Sequence, residues 1–230
     1  MTLCHISINI NHVNHEKIIR RECYKINSAE LAKAHREEII NACAILYETM
    51  SFKDITMKEI GNLISLKRPT IYNYFQTKEE IFLALLQREY EQWAEELNLI
   101  VESREAMTID EIASALAHSL EKRGRMLKLF SMNHFDMEAN SRLENLTEFK
   151  AAYGKPIKAV ERCLAKFCPN MPSKDRQDFI YSFFPFIYGI FPYTFVTEKQ
   201  RKAMRDADIN FVYLSIYDIA YTCAKKLLGQ

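Results

Sequence analysis

An all-α fold is predicted by three properties of the sequence. Strong helix formers dominate a chain of 230 residues that holds only 5 Gly and 6 Pro. Apolar residues recur at three- and four-residue spacing from about Leu31 onward. Helix-start signals, a Ser or Thr followed three residues later by Glu, stand at Thr56, Thr77, Thr108 and Ser141. Hydrophobic residues make up 48% and charged residues 27%, which suits a packed soluble core. The length allows a small domain followed by a larger one. A net charge of +1 gives no global attraction to nucleic acid, so any such partner must be met by a local patch.

Residues 1–28 lack a helical period and read as a flexible leader; Cys4, His5, His12 and His15 have no spacing that brings them onto one face for a metal. In the first helix Ile39, Ile40, Cys43, Leu46 and Tyr47 form the buried stripe, with Arg36, Glu37, Glu38 and Glu48 opposite. Thr56 and Glu59 open a short helix from Met57 to about Ile64, with Ile60, Leu63 and Ile64 inward. Pro69 suits the first turn of a second short helix ending near Phe75. Thr77 and Glu80 then launch a long helix to near Ser103. Further helices follow from Thr108, around Met126 to Met132, and from Ser141, the last carrying Gly154 and Pro156. An aromatic helix runs from about Lys174 to Tyr193, Thr197 to Asp208 reads as a charged connection, and a final amphipathic helix covers roughly Ile209 to Leu228.

Two other classes receive little support. The six Cys include no Cys-x-x-Cys pair, so reduced thiols in a cytoplasmic protein are the plain reading. Residues 179–196 carry no formal charge, but Pro185, Gly189 and Pro192 interrupt them, and a buried, kinked bundle helix is expected rather than a membrane span. No Gly-rich phosphate loop, catalytic triad order, metal-spaced His-Glu pair or cofactor fingerprint is present, so neither an enzyme nor a cofactor is expected.

The segment KRPTIYNYFQTKEEI, from Lys67 to Ile81, mixes basic, amide and aromatic side chains. Two short helices joined by a turn, after a longer one, describe a helix-turn-helix, although any small helical subdomain can share that pattern. Ile71, Tyr72 and Phe75 supply an apolar back, and Arg68, Thr70, Asn73 and Tyr74 point outward. From Thr56 to Lys78 four basic residues (Lys58, Lys67, Arg68 and Lys78) face one acidic, Glu59, a local charge of +3. Tyr72 reads equally as a core ring with a surface hydroxyl, and Asn73 as a solvated residue.

The order Ile39-Ile40, Ala42, Leu46-Tyr47, Phe52, Ile55-Thr56, Ile60-Gly61, Thr70-Ile71-Tyr72, Tyr74-Phe75 and Lys78-Glu79 closely resembles the TetR family of bacterial transcription regulators. The match covers about residues 35–85. Ser51 and Ser65 stand where the family often has Gly, Lys67 where it has a Ser or Thr cap, and Pro69 where it has a small residue. The resemblance implies a helix-turn-helix DNA-binding domain over 29–82 and a larger helical ligand-binding and dimerisation domain over 83–230. It implies that Thr56 caps its helix beside a phosphate, that Arg68, Thr70 and Asn73 face base edges, and that Tyr72, Tyr74 and Lys78 reach the backbone.

Its further implication is a dimeric regulator, in habit a repressor, released from a palindromic double-stranded operator by a small molecule. Met126, Phe130, His134, Phe135, Tyr153, Phe183, Phe186 and Tyr188 are the candidate lining for an apolar or aromatic inducer, although such a stripe packs a core equally well. The alternatives are a helical small-molecule-binding protein or enzyme with a vestigial DNA-binding domain, and a regulator that meets another protein through its N-terminal helices.

Overall fold

The computed structural model describes residues 28–132 and 134–229; these are helical with no strand among them. The expected leader therefore lies outside the described residues, as does the His134 side chain. Two compact units meet in sequence between Lys78 and Glu79, a few residues before the expected boundary.

The first unit contains α1 (residues 28–49), α2 (Met57–Asn62) and α3 (Arg68–Tyr74). On α1 Ile39, Ile40, Cys43 and Tyr47 of the expected stripe are buried and Leu46 is half-buried, with Ala42 and Ala44 buried beside them. Ile55, Ile60, Ile71 and Phe75 complete that core, each fully inaccessible. The Thr56 hydroxyl accepts from the Glu59 N–H at 3.3 Å, so the cap forms. The Glu59 carboxylate does not return to complete the box, and its Oε2 is buried with no partner. Leu63, expected inward, is exposed where α2 ends. A Cβ on Gly61 would stand 3.3 Å from Ile71 Cδ1, so a larger residue there would press on α3 through that side chain.

The second unit holds α4 (Lys78–Ser103), α5 (Ile109–Glu121), α6 (Gly124–Phe130), α7 (His134–Ala139), α8 (Leu143–Phe167), α9 (Ser173–Thr194), α10 (Glu198–Asp206) and α11 (Ile216–Leu228). Its main pairings set α11 along α5 and α9, and α9 against α6 and α8. Trp93 on α4 is fully buried; its indole N–H donates to the Ser119 hydroxyl at 3.0 Å, and that hydroxyl donates to the Leu116 carbonyl. Two buried carboxylates on α4 are paired. Glu89 takes Arg125 at 2.7 Å, and Glu80, read as the capping partner of Thr77, has both oxygens engaged by Arg142. The Arg142 backbone N–H donates to Glu80 as well, at 3.0 Å.

Capping residues explain where the sequence reading holds and where it fails. Thr108 and Glu111 form the expected box. At the start of α8 the expected Ser141–Glu144 box is absent: Arg142 is the N-cap, and the Ser141 hydroxyl donates to the Met137 carbonyl at the end of α7. Full boxes at Thr197–Gln200 and Ser215–Asp218 start α10 inside the supposed connection and delay the last helix to Ile216. Residues 207–215 are consequently irregular, with Asp208 at φ 53°, and Ile209, Val212 and Tyr213, which fall within the expected span of that helix, are exposed. The aromatic helix α9 is continuous through Pro185 and Pro192 and buries Phe179, Phe183, Phe184, Ile187 and Ile190. No single helix among the described residues is long and apolar enough to cross a membrane; α9 meets that test only together with α10, bent from it by 86°.

Ser119→Ala should leave a buried indole N–H without its acceptor and lower stability by about 1–3 kcal/mol, read from Trp93 fluorescence during urea unfolding. Asp110, held by Lys225 and Tyr221, and Asp218, held by Ser215, both have carboxyls below their usual range. A depressed folded value means the contribution is complete above about pH 4 and disappears as pH falls through that depressed value. Stability should therefore hold on acidification to about pH 5 and drop below about pH 4, less steeply in Asp110→Asn.

Candidate nucleic-acid interface and ligand cavity

Seven residues make α3, and its polarity divides along one line. Ile71 and, just beyond the helix, Phe75 are fully buried, while Arg68, Tyr72 and Asn73 are exposed and Thr70 is half-exposed. Lys67 caps the helix without a side-chain bond, and Pro69 sits in the first turn, where its missing N–H costs nothing. The first turn thus leaves Arg68 open to solvent and Thr70 partly so, on different sides of the helix. Thr56, Lys58 and Lys67 are exposed on the same unit. An exposed guanidinium at the start of such a short helix and an exposed amide near its end can read base edges, since Arg matches guanine and Asn matches adenine by bidentate bonds.

Two expected phosphate contacts have other partners. The Lys78 ammonium donates to the carbonyls of Phe52 and Ile55, at 2.7 and 3.0 Å, and lies 4.2 Å from the centre of the Phe52 ring. Its charge closes the loop between α1 and α2, a structural task that the sequence reading missed. The Tyr74 hydroxyl lies 3.1 Å from His35 Nδ1 on α1.

Three α1 residues not expected to matter are engaged here. His35 meets Tyr74, the Arg36 guanidinium lies 4.5 Å over the Phe75 ring, and Glu38 Oε1 accepts from both the N–H and hydroxyl of Ser65, at 2.7 and 2.8 Å. Those bonds from Ser65, the backbone one foremost, hold the Glu38 carboxyl below the usual carboxylate range. Arg36 and Glu38 had been assigned to a solvated face. Nothing local marks them, because Ser65 lies 27 positions away.

In the second unit the expected ligand lining disperses. Met126, Phe130 and Phe183 are core residues, and Phe135 is 87% exposed. None of these four lines either of the two cavities described below, and on α6 and α9 rings such as Phe130 and Tyr188 fill space against one another. Tyr188 stacks on Phe130 at 4.3 Å, and its hydroxyl lies 2.6 Å from that of the buried Tyr90. Tyr153 and Tyr188 do share a cavity of about 640 Å³ between α8 and α9, with Ile157, Ile180, Tyr181, Phe184 and Pro185 as apolar wall and Glu161, Lys174 and Gln177 as polar rim. Burial raises the Tyr153 hydroxyl above its usual range and pushes Tyr188 up to about 12, so both are neutral hydrogen-bonding groups. Phe186 lines a separate, largely apolar cavity of about 450 Å³ with Gly189, Tyr193, Val212, Leu214 and Ile219. No group of His, Cys, Asp and Glu able to hold a metal occurs among the described residues.

With this geometry in hand, comparison with known proteins is informative. A family model described as bacterial regulatory proteins, tetR family, matches residues 39–85, and one described as tetracyclin repressor-like, C-terminal domain, matches residues 87–216. Curated protein sequences give no match. The fold is similar to that of a TetR/AcrR family transcriptional regulator from Thermobifida fusca, at 16% identity and TM-score 0.59, covering 85% of this chain and 97% of that one. It is also similar to the transcriptional regulator FadR from Bacillus subtilis in complex with stearoyl-CoA, at 14% identity and TM-score 0.56, covering 84% and 97%. The fatty acid degradation regulator FadR from Bacillus halodurans aligns at 14% identity and TM-score 0.55, covering 84% and 94%.

The contrast between Lys78 and Arg68 is measurable. Lys78→Met should cost the first unit about 2 kcal/mol through the lost charged hydrogen bonds. Arg68→Ala should leave stability within about 0.5 kcal/mol of the parent, both read by thermal unfolding.

Proposed function

The chain belongs to the TetR family of bacterial transcriptional regulators, and from that premise we propose that it acts in the cytoplasm as a two-fold dimer. Each copy sets α3 in the major groove of a palindromic operator, and a ligand entering the α8–α9 cavity releases the DNA, so that the protein is a repressor. The observation that carries this reading is the division of α3: Arg68, Thr70, Tyr72 and Asn73 stand at the surface on a base of buried Ile71 and Phe75. Thr56, Lys58 and Lys67 add contacts to the phosphates, and Lys78 and Tyr74 act mainly by holding the unit together.

A second copy is supported by α9. Beyond the residues that line the α8–α9 cavity, Gly189 and Tyr193 are exposed four positions apart, and nothing lies within 4 Å of a Cβ built on Gly189. Val212 and Leu214 extend this apolar surface from the segment before α11. Such a patch on a soluble chain is characteristic of an interaction site. The ligand is a small molecule with a substantial apolar part. The α8–α9 cavity has the size and apolar walls of a small-molecule site, and the relative captured with stearoyl-CoA supports an apolar chain as one suitable occupant. Tyr153 and Tyr188 supply hydrogen bonds to its polar group.

DNA from upstream of the chain's own gene, measured by fluorescence anisotropy at two salt concentrations, tests the reading. Binding should weaken steeply with salt, and Arg68→Ala should cost about 1–3 kcal/mol of affinity for the preferred sequence. Salt-insensitive binding, or indifference to Arg68→Ala, would sink it. Gly189→Glu should shift the protein from dimer to monomer in sedimentation, because a charge would then be buried against the facing copy. Ile180→Trp, by filling the cavity, should block ligand-induced release while leaving DNA affinity unchanged.

A further inference from the structure

The grip of α1 on the helix-turn-helix is assigned by neither the family match nor the motif. We propose that Glu38 is a positioning residue for sequence reading: anchored on α1, its carboxylate fixes the turn between α2 and α3, and so the angle at which Arg68, Thr70 and Asn73 meet the bases. The proposal rests on the helix-turn-helix reading above.

Glu38 precedes Ile39 and Ile40, which are buried, so the helix that carries it is held firmly by the core. One oxygen, Oε1, takes both donors of Ser65, at 2.7 Å from the N–H and 2.8 Å from the hydroxyl. A charged acceptor makes both bonds stronger than neutral ones. The turn itself carries little else: the Leu63 N–H donates back to Ile60, and the Thr70 N–H to Lys67 already belongs to α3. Because α3 starts without a side-chain cap, its start is located by the turn that feeds it. His35 and Arg36, one turn earlier on α1, engage Tyr74 and Phe75 at the far end. The reading helix is thus held at both ends from one rigid element. Contacts that read bases tolerate only about 0.5 Å and 10–20° of misplacement, so a loosened turn loses discrimination before it loses folding.

Charge separates this role from simple attraction. A carboxylate in a domain that meets a polyanion lowers affinity for every duplex, so removing it should favour binding unless it positions something. The experiment selects a preferred sequence from randomised duplexes with the unaltered protein. Affinities for that duplex and a scrambled one are then measured for Glu38→Ala and Glu38→Gln. In Glu38→Ala the ratio of selected to scrambled affinity should fall on the order of tenfold, while scrambled binding holds or rises. Glu38→Gln loses the same charge but keeps an acceptor, and should retain most of the ratio. The Ser65 amide should exchange its hydrogen faster in DNA-free Glu38→Ala than in the parent. Ser65→Gly, which keeps the amide and drops the hydroxyl, should shift the ratio in the same direction by a smaller factor, and serves if Glu38→Ala does not fold.

An unchanged ratio in Glu38→Ala, an equal loss in Glu38→Ala and Glu38→Gln, or unchanged exchange at Ser65 overturns the proposal. If the unaltered protein enriches no sequence, the DNA-reading assignment itself fails, and that is seen before any variant is made.

Discussion

A helix of seven residues is well below the length that persists alone in water, so the conformation of α3 is imposed by what it leans on. Ile71 and Phe75 are buried against the core that α1 builds, and a Cβ on Gly61 would crowd the end of the Ile71 side chain at 3.3 Å. That dependence sets the chemistry of the first unit. The inner side of α3 must be apolar to stay folded, which leaves Arg68, Thr70 and Asn73 to the outer side, where polar groups do not weaken the core. The polar side chains of α1 and the Lys78 ammonium then close the loops around it, bonding backbone atoms that the short helices cannot satisfy themselves.

The second unit answers a different demand. Its longest helix, α4, buries two carboxylates, each costly to desolvate unless paired. Arg142 meets Glu80 through two side-chain bonds and one backbone bond, tying the start of α8 to the first turn of α4, and Arg125 meets Glu89 from α6. Such pairs add little net stability over apolar residues of similar volume, but an unpaired carboxylate at either position is penalised heavily. They therefore discriminate against wrong packing of helices whose apolar faces would accept several arrangements.

Rings dominate what remains. Trp93, Tyr90, Phe130, Phe183 and Phe184 fill the centre, and their polar atoms are matched where they are buried, as Trp93 is by Ser119 and Tyr90 by Tyr188. The cavity lies where α8 and α9 separate, and further along α9 Gly189 and Tyr193 are exposed to solvent.

Periodicity and capping chemistry were sufficient to read most helices, because both act between residues three or four apart. The buried stripe of α1, the Thr108 box and the continuous aromatic helix follow from such short-range rules. Reading Ser-x-x-Asp and Thr-x-x-Gln as boxes as well would have found α10 and the true start of α11. Part of the outward face of α3 was legible as well, through Arg68 and Asn73, but Tyr72, read with the apolar back, is exposed, and Tyr74, read as outward, is half-buried against His35. Long-range choices were not legible. Whether Phe130 lines a cavity or fills a core, whether Lys78 meets a phosphate or a carbonyl, and whether Glu38 is solvated or holds Ser65 depend on chain segments tens of residues away. The sequence by itself determined the helices and the faces they present; the tertiary structure decided which polar groups on those faces are spent within the fold, because a hydrogen bond is settled by distance in space and not along the chain.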